Sequence, residues 1–342
     1  MTGNQGFIGP VATRLAKLAG HHVTGLDTGY FKDCGPAVKA ETLPDVQIVR
    51  DVRDVTPHDL EDVDAVLHFA GLSNDPMGEL NPILTQEINL GGTVRVAQAA
   101  KAAGVSRFVF ASSCSLYGAA GGEAALNETA PLQPVSAYAV SKAEAEIALT
   151  EMADADFSPV FMRNATAYGV GPRPRFDLVV NNLIGWAYTA GRIMVMSDGT
   201  PWRPLVHIED IAHAALCAAA APRDSVHGQA FNIGAADANY QVRDIAGMVA
   251  QAFPHAELEI TGQTGGDPRS YRVNFDKALT GLPGFTPQWT LERGVAESAA
   301  WVRAKGLADA AFDSRLFIRL KQLKHAMDAG LLDGELRAPA AA

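Results

Sequence analysis

Short apolar runs alternate with stretches of helical spacing through the first half of the chain. The runs are rich in Val, Ile and Phe, which is typical of strands that are buried on both faces of a parallel sheet. The predicted strands are HHVTGLD to Asp27, VQIVRD to Asp51, DAVLHFA to Ala70, RFVFASS to Ser113, and PVFMRNAT near residues 159–166. The predicted helices are GPVATRLAKLAG, PILTQEINLGGTVRVAQAAKAAG and SAYAVSKAEAEIALTEMA. This alternation predicts an α/β fold with a doubly wound parallel sheet and right-handed crossovers.

Beyond Tyr168 the alternation loosens, which predicts a second, smaller α/β lobe. A Pro/Arg-rich loop precedes a helix predicted at about 177–191, and another helix starts at about 208. The last apolar stretch, FIRLKQLKHAMDAGLLDGEL, has helical spacing that predicts packing, and APAAA is a candidate frayed tail. The predicted parts are a first domain over residues 1–168, a second lobe mainly over 169–330 with part of 205–235 returning to the first domain, and a tail over 331–342.

Composition and charge restrict the classes of partner. A chain of 342 residues with 48% hydrophobic residues can bury a sizeable core. The formal net charge of −10 argues against nucleic acid as a partner, because phosphate backbones require a basic surface. Three scattered cysteines without a CxxC pair favour a reducing compartment over a disulfide framework or a metal site. With neither a signal peptide nor an apolar run long enough for a bilayer, we expect no membrane contact and a cytoplasmic location.

The chain opens with a glycine loop, MTGNQGFIG, directly before an Ala/Leu-rich helical stretch. Gly3, Gly6 and Gly9 would let the backbone approach a pyrophosphate, and the helix that follows would direct its N–H groups at the anion. Such a loop normally follows a strand, and almost nothing precedes it here. We therefore expect that the first strand is truncated and that the natural chain begins several residues upstream, with Met1 marking an internal start codon.

Asp27 follows the glycine loop at the end of the next predicted strand. A carboxylate there can accept hydrogen bonds from the ribose hydroxyls of a dinucleotide, and it repels a 2′-phosphate. A solvated turn residue is the alternative, but the order of loop, helix and strand favours NAD over NADP. Residues 1–168 are thus predicted to be a Rossmann-type NAD-binding domain, and residues 169–330 to bind the substrate.

Tyr138 and Lys142 stand four residues apart in YAVSK, hence on one face of a predicted helix. Such a pair is common by chance, but this helix follows the strand that ends at Ser113, at the sheet edge where open α/β sheets bind ligands. A neighbouring ammonium and a positive nicotinamide ring would lower the pKa of the phenol. Ser113 could hold the reacting oxygen by a hydrogen bond. These three residues are therefore the predicted catalytic groups.

Together the motifs resemble the extended short-chain dehydrogenase/reductase family, the NAD-dependent nucleotide-sugar epimerases and dehydratases. The resemblance covers nearly the whole chain and rests on TGNQGFIG, LHFAGL, INLGGT with Asn89, SSCSLYG, YAVSK and PWRPLVHIEDIA. HFAGL and NNL are similar to segments of the family's UDP-galactose 4-epimerases. The resemblance implies an NAD cofactor, a nucleotide-sugar substrate, and a homodimer formed by the helices around 82–103 and 138–154.

The resemblance also implies a role for each site residue. Tyr138 would remove a sugar hydroxyl proton while hydride passes to NAD, Lys142 would bind the nicotinamide ribose, and Ser113 would assist the proton transfer. In an epimerase the 4-keto sugar turns over and hydride returns to its opposite face. The implied cofactor-binding residues are Gly3, Gly6, Phe7, Ile8, Gly9, Asp27, Asp51, Val52, Phe69, Ala70, Gly71, Asn89, Tyr138 and Lys142. The implied substrate-binding residues are Ser113, Thr166, Asn182, Arg203 and Arg269, with Asp267 and Arg272 nearby.

Several positions depart from the family pattern. Cys114 and Ser115 stand where the family's 4,6-dehydratases carry an Asp-Glu pair, so a 4,6-dehydratase is disfavoured. We interpret Cys114 as a small packing residue rather than a nucleophile, because no base is evident for it. Thr166 replaces the family's usual Asn, although Asn164 lies nearby, and Ser73 replaces a lysine of some 4-epimerases.

Three arginines of the second lobe are candidates for contacts with the substrate. Arg203 occupies the family's diphosphate-binding position, and a guanidinium fork suits paired phosphate oxygens; a surface salt bridge is the alternative. Arg173 and Arg175 in GPRPR are interpreted as residues of a solvated loop, and contact with an acidic sugar such as a uronate is the alternative.

Three functions remain open from the sequence. The first is an NAD-dependent nucleotide-sugar epimerase acting at C4, and the second is a reductase or dehydratase of a nucleotide-linked deoxysugar. The third is a non-catalytic NAD-binding protein, against which the intact set of Ser113, Tyr138 and Lys142 argues. The sequence favours the epimerase.

Overall fold

The computed structural model describes residues 1–36, 38–118, 120, 124–263, 270–306 and 312–339. Strands and helices alternate through most of this length. The strands are β1 Thr24–Asp27, β2 Val46–Val49, β3 Ala65–His68, β4 Arg107–Ser113, β5 Ser158–Asn164, β6 Thr166–Tyr168, β7 Arg192–Val195, β8 Trp202–His207, β9 Ala230–Ile233, β10 Asn239–Gln241 and β11 Glu257–Ile260. The helices are α1 Gly9–Leu18, α2 Asp75–Gly78, α3 Pro82–Gln86, α4 Gly92–Ala102, α5 Ala137–Met152, α6 Val179–Thr189, α7 Ile208–Ala220, α8 Arg223–Val226, α9 Val242–Ala252, α10 Asp276–Gly281, α11 Leu291–Lys305 and α12 Arg319–Asp328.

A parallel sheet carries the first lobe. Its order is β2, β1, then β3, β4, β5 and β9, and all of the neighbouring strands are parallel. Thr2 lies between β1 and β3, where it forms a parallel bridge to Leu26 on one side and to His68 on the other. Helices cover both faces: α7 packs with α1 against β3, β4 and β5, and α5 packs with α4 on the opposite face. The predicted doubly wound α/β fold is confirmed.

Burial of the sheet differs from the prediction at one edge. Every residue of β5 is buried, as expected of a central strand. In β2, however, Val46 is 45% exposed and Val49 is 74% exposed. The prediction that this strand is buried on both faces is wrong, because β2 is the outermost strand and pairs only with β1.

The helix predicted from Pro82 is interrupted between α3 and α4 by a π turn, Glu87–Gly91. Gly92 follows this turn, and a Cβ there would lie 2.6 Å from the Cγ2 of Val52, so only glycine allows this close approach. Asn89 sits within the turn, which widens the backbone where its side chain enters the core.

The second lobe has its own small sheets and core. β8 lies between antiparallel β10 and parallel β6, and β11 pairs with β7 in parallel. The apolar faces of α6, α9 and α11 pack together beside them. Within the described part of the chain, every helix is too short or too polar to cross a bilayer.

The C-terminal segment returns to the first lobe. Leu323 of α12 is fully buried in the same core as α4 and α5. Leu332 and Leu336 join that core, although the sequence analysis assigns 331–342 to a tail. The hydroxyl of Tyr30 donates to the carbonyl of Leu336, which ties this segment to the loop after β1.

Candidate active site

The glycine loop has the geometry that a phosphate cradle requires. Gly3 has φ of +69°, and a Cβ there would lie 2.7 Å from the backbone nitrogen of Ala70. A Cβ at Gly9 would lie 2.2 Å from the carbonyl oxygen of Gly3. Both positions therefore require glycine. Because α1 begins at Gly9, its first N–H groups face the same space as the loop.

Asp27 ends β1 beside this loop, as predicted. Its carboxylate accepts hydrogen bonds from the backbone N–H groups of Gln5, at 3.0 Å, and Gly29, at 2.8 Å. Burial raises the pKa of Asp27, against these two donors and against the positive charge of Arg319. These two hydrogen bonds hold the carboxylate in a position where it can accept hydrogen bonds from ribose hydroxyls.

The predicted catalytic residues come together at the carboxyl end of β4. Ser113 is its last residue, and Tyr138 lies in the first turn of α5, whose N-cap is Ser136. Tyr138 and Ser113 are hydrogen-bonded through their side chains. Enclosure of the phenol nevertheless raises the pKa of Tyr138 to about 12. In the protein alone, the pKa of the phenol is therefore higher than predicted. The prediction also counts the positive charge of oxidised nicotinamide, which would lower this pKa.

Lys142 lies one turn after Tyr138 and is buried. Its Nζ donates to the carbonyl oxygen of Ala111 at 2.8 Å and lies 4.5 Å from the ring centroid of Phe110. Burial lowers the pKa of Lys142 to about 8, against the negative charge of Glu146. The lysine thus remains mostly charged at neutral pH but close to its titration point.

One continuous cavity of about 640 Å³ joins the glycine loop to the predicted catalytic residues. Most of the predicted site residues line it: Gly3, Gly6, Phe7, Ile8, Gly9, Asp27, Asp51, Val52, Phe69, Ala70, Gly71, Ser113, Tyr138, Lys142, Thr166, Asn182 and Arg203. Asn89 does not. Its side chain instead bonds both backbone groups of Leu72 and the hydroxyl of Ser141, so it braces the wall behind Gly71. Asp267 and Arg269 lie outside the described residues.

Residues of the second lobe also line the cavity. Asn182 of α6 donates to the carbonyl of Phe176 at 2.8 Å, and Arg203 of β8 donates to that of Trp202 at 2.9 Å. Two buried polar atoms in the cavity wall, Ser115 Oγ and Asn164 Oδ1, have no hydrogen-bond partner among the described residues. Such atoms are suited to bind the hydroxyls of a sugar.

The loop after β6 is buried, although its sequence predicts that it is solvated. Arg173 is 7% and Arg175 is 5% exposed, so the prediction of a solvated loop is wrong. Arg175 binds both oxygens of Asp177, at 3.0 and 2.8 Å, and donates to the hydroxyl of Ser73 at 2.9 Å. These residues lie inside because α12, which is distant in sequence, covers the loop.

Several residues of the cavity were not predicted at all. Asp75 hydrogen-bonds the hydroxyl of Ser136 and adds negative charge near Tyr138. Asp177 and Tyr271 also line the cavity, as does Arg319 from α12. Asp75 stands close to a quoted motif, in GLSNDP, but no local pattern marks Arg319.

Cys114 behaves as a packing residue in this site. Its thiol is 1% exposed and donates to the carbonyl of Arg163 at 3.1 Å. Burial raises the pKa of the thiol well above its usual range. The position therefore supplies no thiolate at neutral pH, and neither Cys114 nor Ser115 supplies a carboxylate beside Ser113.

The model of the NAD dependent epimerase/dehydratase family matches residues 1–234 of the chain. The chain belongs to this family. The resemblance inferred from the motifs is thereby confirmed, and so are the Rossmann-type fold, the enzymatic nature of the protein and its cofactor, NAD. The cradle at Gly3 and Gly9, together with the carboxylate of Asp27, fits that cofactor.

Individual members of the NAD dependent epimerase/dehydratase family resemble the chain over almost its whole length. The UDP-glucose 4-epimerase of Corynebacterium glutamicum is 28% identical over 325 residues, 90% of this chain and 96% of that protein. MoeE5, solved in complex with UDP-glucose and NAD, is 28% identical with a TM-score of 0.75, covering 90% of this chain and 98% of that one. The dTDP-glucose 4,6-dehydratase DesIV of Streptomyces venezuelae, a double mutant with NAD and DAU bound, is 25% identical with a TM-score of 0.75 over 91% and 98%.

Proposed function

We propose that the protein is an NAD-dependent nucleotide-sugar epimerase that acts at C4 through a transient 4-keto sugar. The observation that carries this proposal is the cluster of Ser113, Tyr138 and Lys142 in the same cavity as the glycine loop. The 4-epimerase among the similar proteins, and the UDP-glucose bound by MoeE5, support a nucleotide sugar as the substrate.

The proposed reaction begins with proton transfer at the sugar. The Tyr138 phenolate takes the proton of the 4-hydroxyl, while Ser113 holds the reacting oxygen by a hydrogen bond. Lys142, one turn along α5, binds the nicotinamide ribose, and its positive charge stabilises the phenolate. The chemistry that NAD would supply when bound is reversible hydride transfer with C4 of the sugar. The same tyrosine then protonates the product oxygen after the sugar has turned over.

The substrate is proposed to lie against the second lobe. Arg203 and Asn182 contact the diphosphate, because a guanidinium fork and an amide donor suit phosphate oxygens. Asn164 and Ser115 contact sugar hydroxyls through their unpartnered buried atoms, beside Thr166. We also assign Arg269 to the diphosphate from the family resemblance.

Water elimination is the alternative reaction, since a dehydratase is among the similar proteins. Elimination from a 4-keto sugar requires a further acid and base, which 4,6-dehydratases place directly after the catalytic Ser or Thr. Cys114 and Ser115 occupy those positions here, and the Cys114 thiol is buried with a raised pKa. This contrast favours epimerisation.

The test is product analysis on a panel of UDP-, GDP-, CDP- and dTDP-sugars, run once without added NAD or NADH and once with stoichiometric NADH. An epimerase converts one sugar to its C4 epimer of equal mass, which proton NMR distinguishes by the coupling at C4. A product lighter by one water indicates a dehydratase, and a product formed only with stoichiometric NADH indicates a reductase. Either of these last two results contradicts the proposal.

We further propose that the protein is a cytoplasmic homodimer with an NAD-binding domain over 1–168 and a substrate lobe mainly over 169–330. Free cysteines at 34, 114 and 217 support a reducing compartment. Ile83 is 74% and Ile147 is 59% exposed, and both lie in the segments, 82–103 and 138–154, through which the family resemblance implies pairing. A monomeric mass in multi-angle light scattering would contradict the dimer.

A further inference from the structure

Arg319 is the first residue of α12, outside the residues that the family model matches. It is 2% exposed, and its guanidinium stacks 4.6 Å from the ring centroid of Phe31. Its Nη2 donates to the carbonyl of Arg173 at 2.8 Å. Its Nη1 is buried without a hydrogen-bond partner among the described residues. The side chain nevertheless lines the cavity that holds the glycine loop.

Among the described residues, one of the three buried arginines in this region has a carboxylate in direct contact. Arg173, Arg175 and Arg319 are all buried within this region, and Asp177 forms an ion pair with Arg175. In the described chain, Arg173 and Arg319 bond only to carbonyl oxygens. Burial lowers the pKa of Arg319 to about 10, which still leaves it charged at neutral pH. The carboxylates of Asp27 and Asp177 act on Arg319 through their charge, but neither forms an ion pair with it. Nη1 is thus a buried, charged donor without an acceptor, which is costly and which an anion in the cavity would satisfy.

The position of Arg319 identifies which anion this is. Arg319, Phe31 and Asp27 line the same end of the cavity, and the charge of Arg319 acts on the carboxylate of Asp27. Asp27 is placed to bind the adenosine ribose, and in NAD the diphosphate is attached directly to that ribose. The proposed contacts of the substrate's diphosphate, Asn182 and Arg203, come instead from α6 and β8.

We propose that Arg319 binds the diphosphate of NAD, so that the C-terminal segment 312–339 closes the cofactor pocket and retains NAD. A guanidinium fork suits paired phosphate oxygens, and in the same cavity it would add to the backbone N–H groups of the glycine loop. Gln322 donates to the carbonyl of Tyr30 at 3.1 Å, and Arg53 donates to that of Glu335 at 3.0 Å. These contacts hold α12 and the residues after it over the pocket, so release of NAD requires the segment to move.

The experiment measures release of NAD, not turnover, so its result is independent of the proposed epimerase activity. The purified holoenzyme is loaded with radiolabelled NAD and chased with unlabelled NAD, and the label that remains bound is followed by filtration. Arg319→Met is expected to accelerate release by about 10- to 100-fold, the usual effect of removing a hydrogen bond to a charged group. Arg319→Lys, which keeps the charge but lacks the fork, is expected to fall between Arg319→Met and the wild type.

Lys321→Met is the matched control, because it removes a positive charge from an exposed position of the same helix. It is expected to release NAD at the wild-type rate. UDP binding to the NAD-loaded protein, measured by calorimetry, separates the two diphosphates and is expected to be unchanged in every variant.

Wild-type release of NAD from both Arg319 variants overturns the proposal, and so does a loss confined to UDP binding. Where Arg319→Met does not fold, Arg319→Lys decides alone, and wild-type release from it overturns the proposal. A purely structural role would lower the unfolding temperature equally with and without saturating NAD. The proposal instead expects the rise in unfolding temperature caused by NAD to shrink.

Discussion

Tyr138 enters the cavity with a phenol that its surroundings make a weak acid, and two interactions act against this. Its hydrogen bond with Ser113 favours the phenolate, and so does the positive charge of Arg175. Lys142, one turn along α5, is held in place by the carbonyl of Ala111 and the ring of Phe110. The reactivity proposed for Tyr138 therefore depends on positioned neighbours rather than on the phenol alone.

Tyr138→Phe is expected to lower kcat by about 100- to 10,000-fold, because it removes the proposed acid–base group and keeps the ring. Bound NAD, measured from the absorbance of the purified protein, is expected to stay at the wild-type level. The conversion is followed by NMR on whichever nucleotide sugar the wild type accepts. Turnover at the wild-type rate would remove Tyr138 from the mechanism.

Cys114→Ser is expected to keep activity within a few-fold of the wild type, because the thiol packs against the backbone of β5 and carries no negative charge. A thiol reagent applied to the native protein at neutral pH should leave Cys114 unmodified, as mass spectrometry of the digested protein can establish. Loss of activity on substitution, together with rapid modification at this position, would indicate a nucleophile.

At the scale of elements, a buried network fixes α5 against the sheet. Glu146 accepts from Ser112 of β4 at 2.6 Å and forms an ion pair with Arg163 of β5 at 2.7 Å. Arg163 also donates to Tyr117, whose hydroxyl donates to Asn232 of β9 at 2.7 Å. Because Glu146 lies one turn beyond Lys142, the network fixes the position of Lys142 and Tyr138 relative to β4.

Glu146→Gln is expected to destabilise the protein by roughly 3 kcal/mol, since it leaves the Arg163 guanidinium buried without its carboxylate. Urea unfolding of the NAD-loaded protein measures the change. Glu144→Gln, on the exposed side of the same helix, is the control and should unfold like the wild type. Equal stability of both variants would show that the ion pair is not needed to hold α5.

Elements and motifs differ in how far the sequence predicts them. The glycine loop, Asp27 and the pair in YAVSK are local patterns. The sequence alone therefore predicts correctly that they line one cavity. Arg173 and Arg175 were misjudged because their loop is polar and Pro-rich, and only α12, more than a hundred residues later, covers it. The sequence does not indicate Arg319 for the same reason. Its guanidinium stacks on Phe31, which is so distant along the chain that no local pattern relates the two residues.

At the scale of the whole molecule, His68 couples stability to pH. It is 1% exposed in β3, with Thr93 Oγ1 at 2.9 Å from Nε2 and Thr2 Oγ1 at 2.7 Å from Nδ1. Thr93 donates to the carbonyl of Asn89, so it accepts from Nε2–H and leaves Nδ1 as an acceptor. Burial lowers the pKa of His68 to about 3.

This lowered pKa has a definite sign in the unfolding equilibrium. Between the folded pKa of about 3 and the ordinary value of 6.5, the unfolded chain binds the proton and the folded chain does not, so stability falls as the pH falls through 6.5. The contribution of His68 between about pH 7.5 and pH 5 is about 2 kcal/mol. Urea unfolding at the two pH values should show a correspondingly smaller loss in His68→Gln than in the wild type. His21→Gln, at an exposed position, should lose as much stability as the wild type.

The path of the chain through the two lobes restricts how such an enzyme can be recombined. The chain leaves the sheet after β5 and returns for α7 and β9. It leaves again at β10, returns for α10, leaves for α11 and returns for α12. A fragment that stops after β6 would leave the edge of β5 open and the apolar side of the sheet bare. Exchanging the second lobe with that of a relative therefore requires six junctions, and a single crossover after β6 would separate β5 from β9, its partner in the sheet.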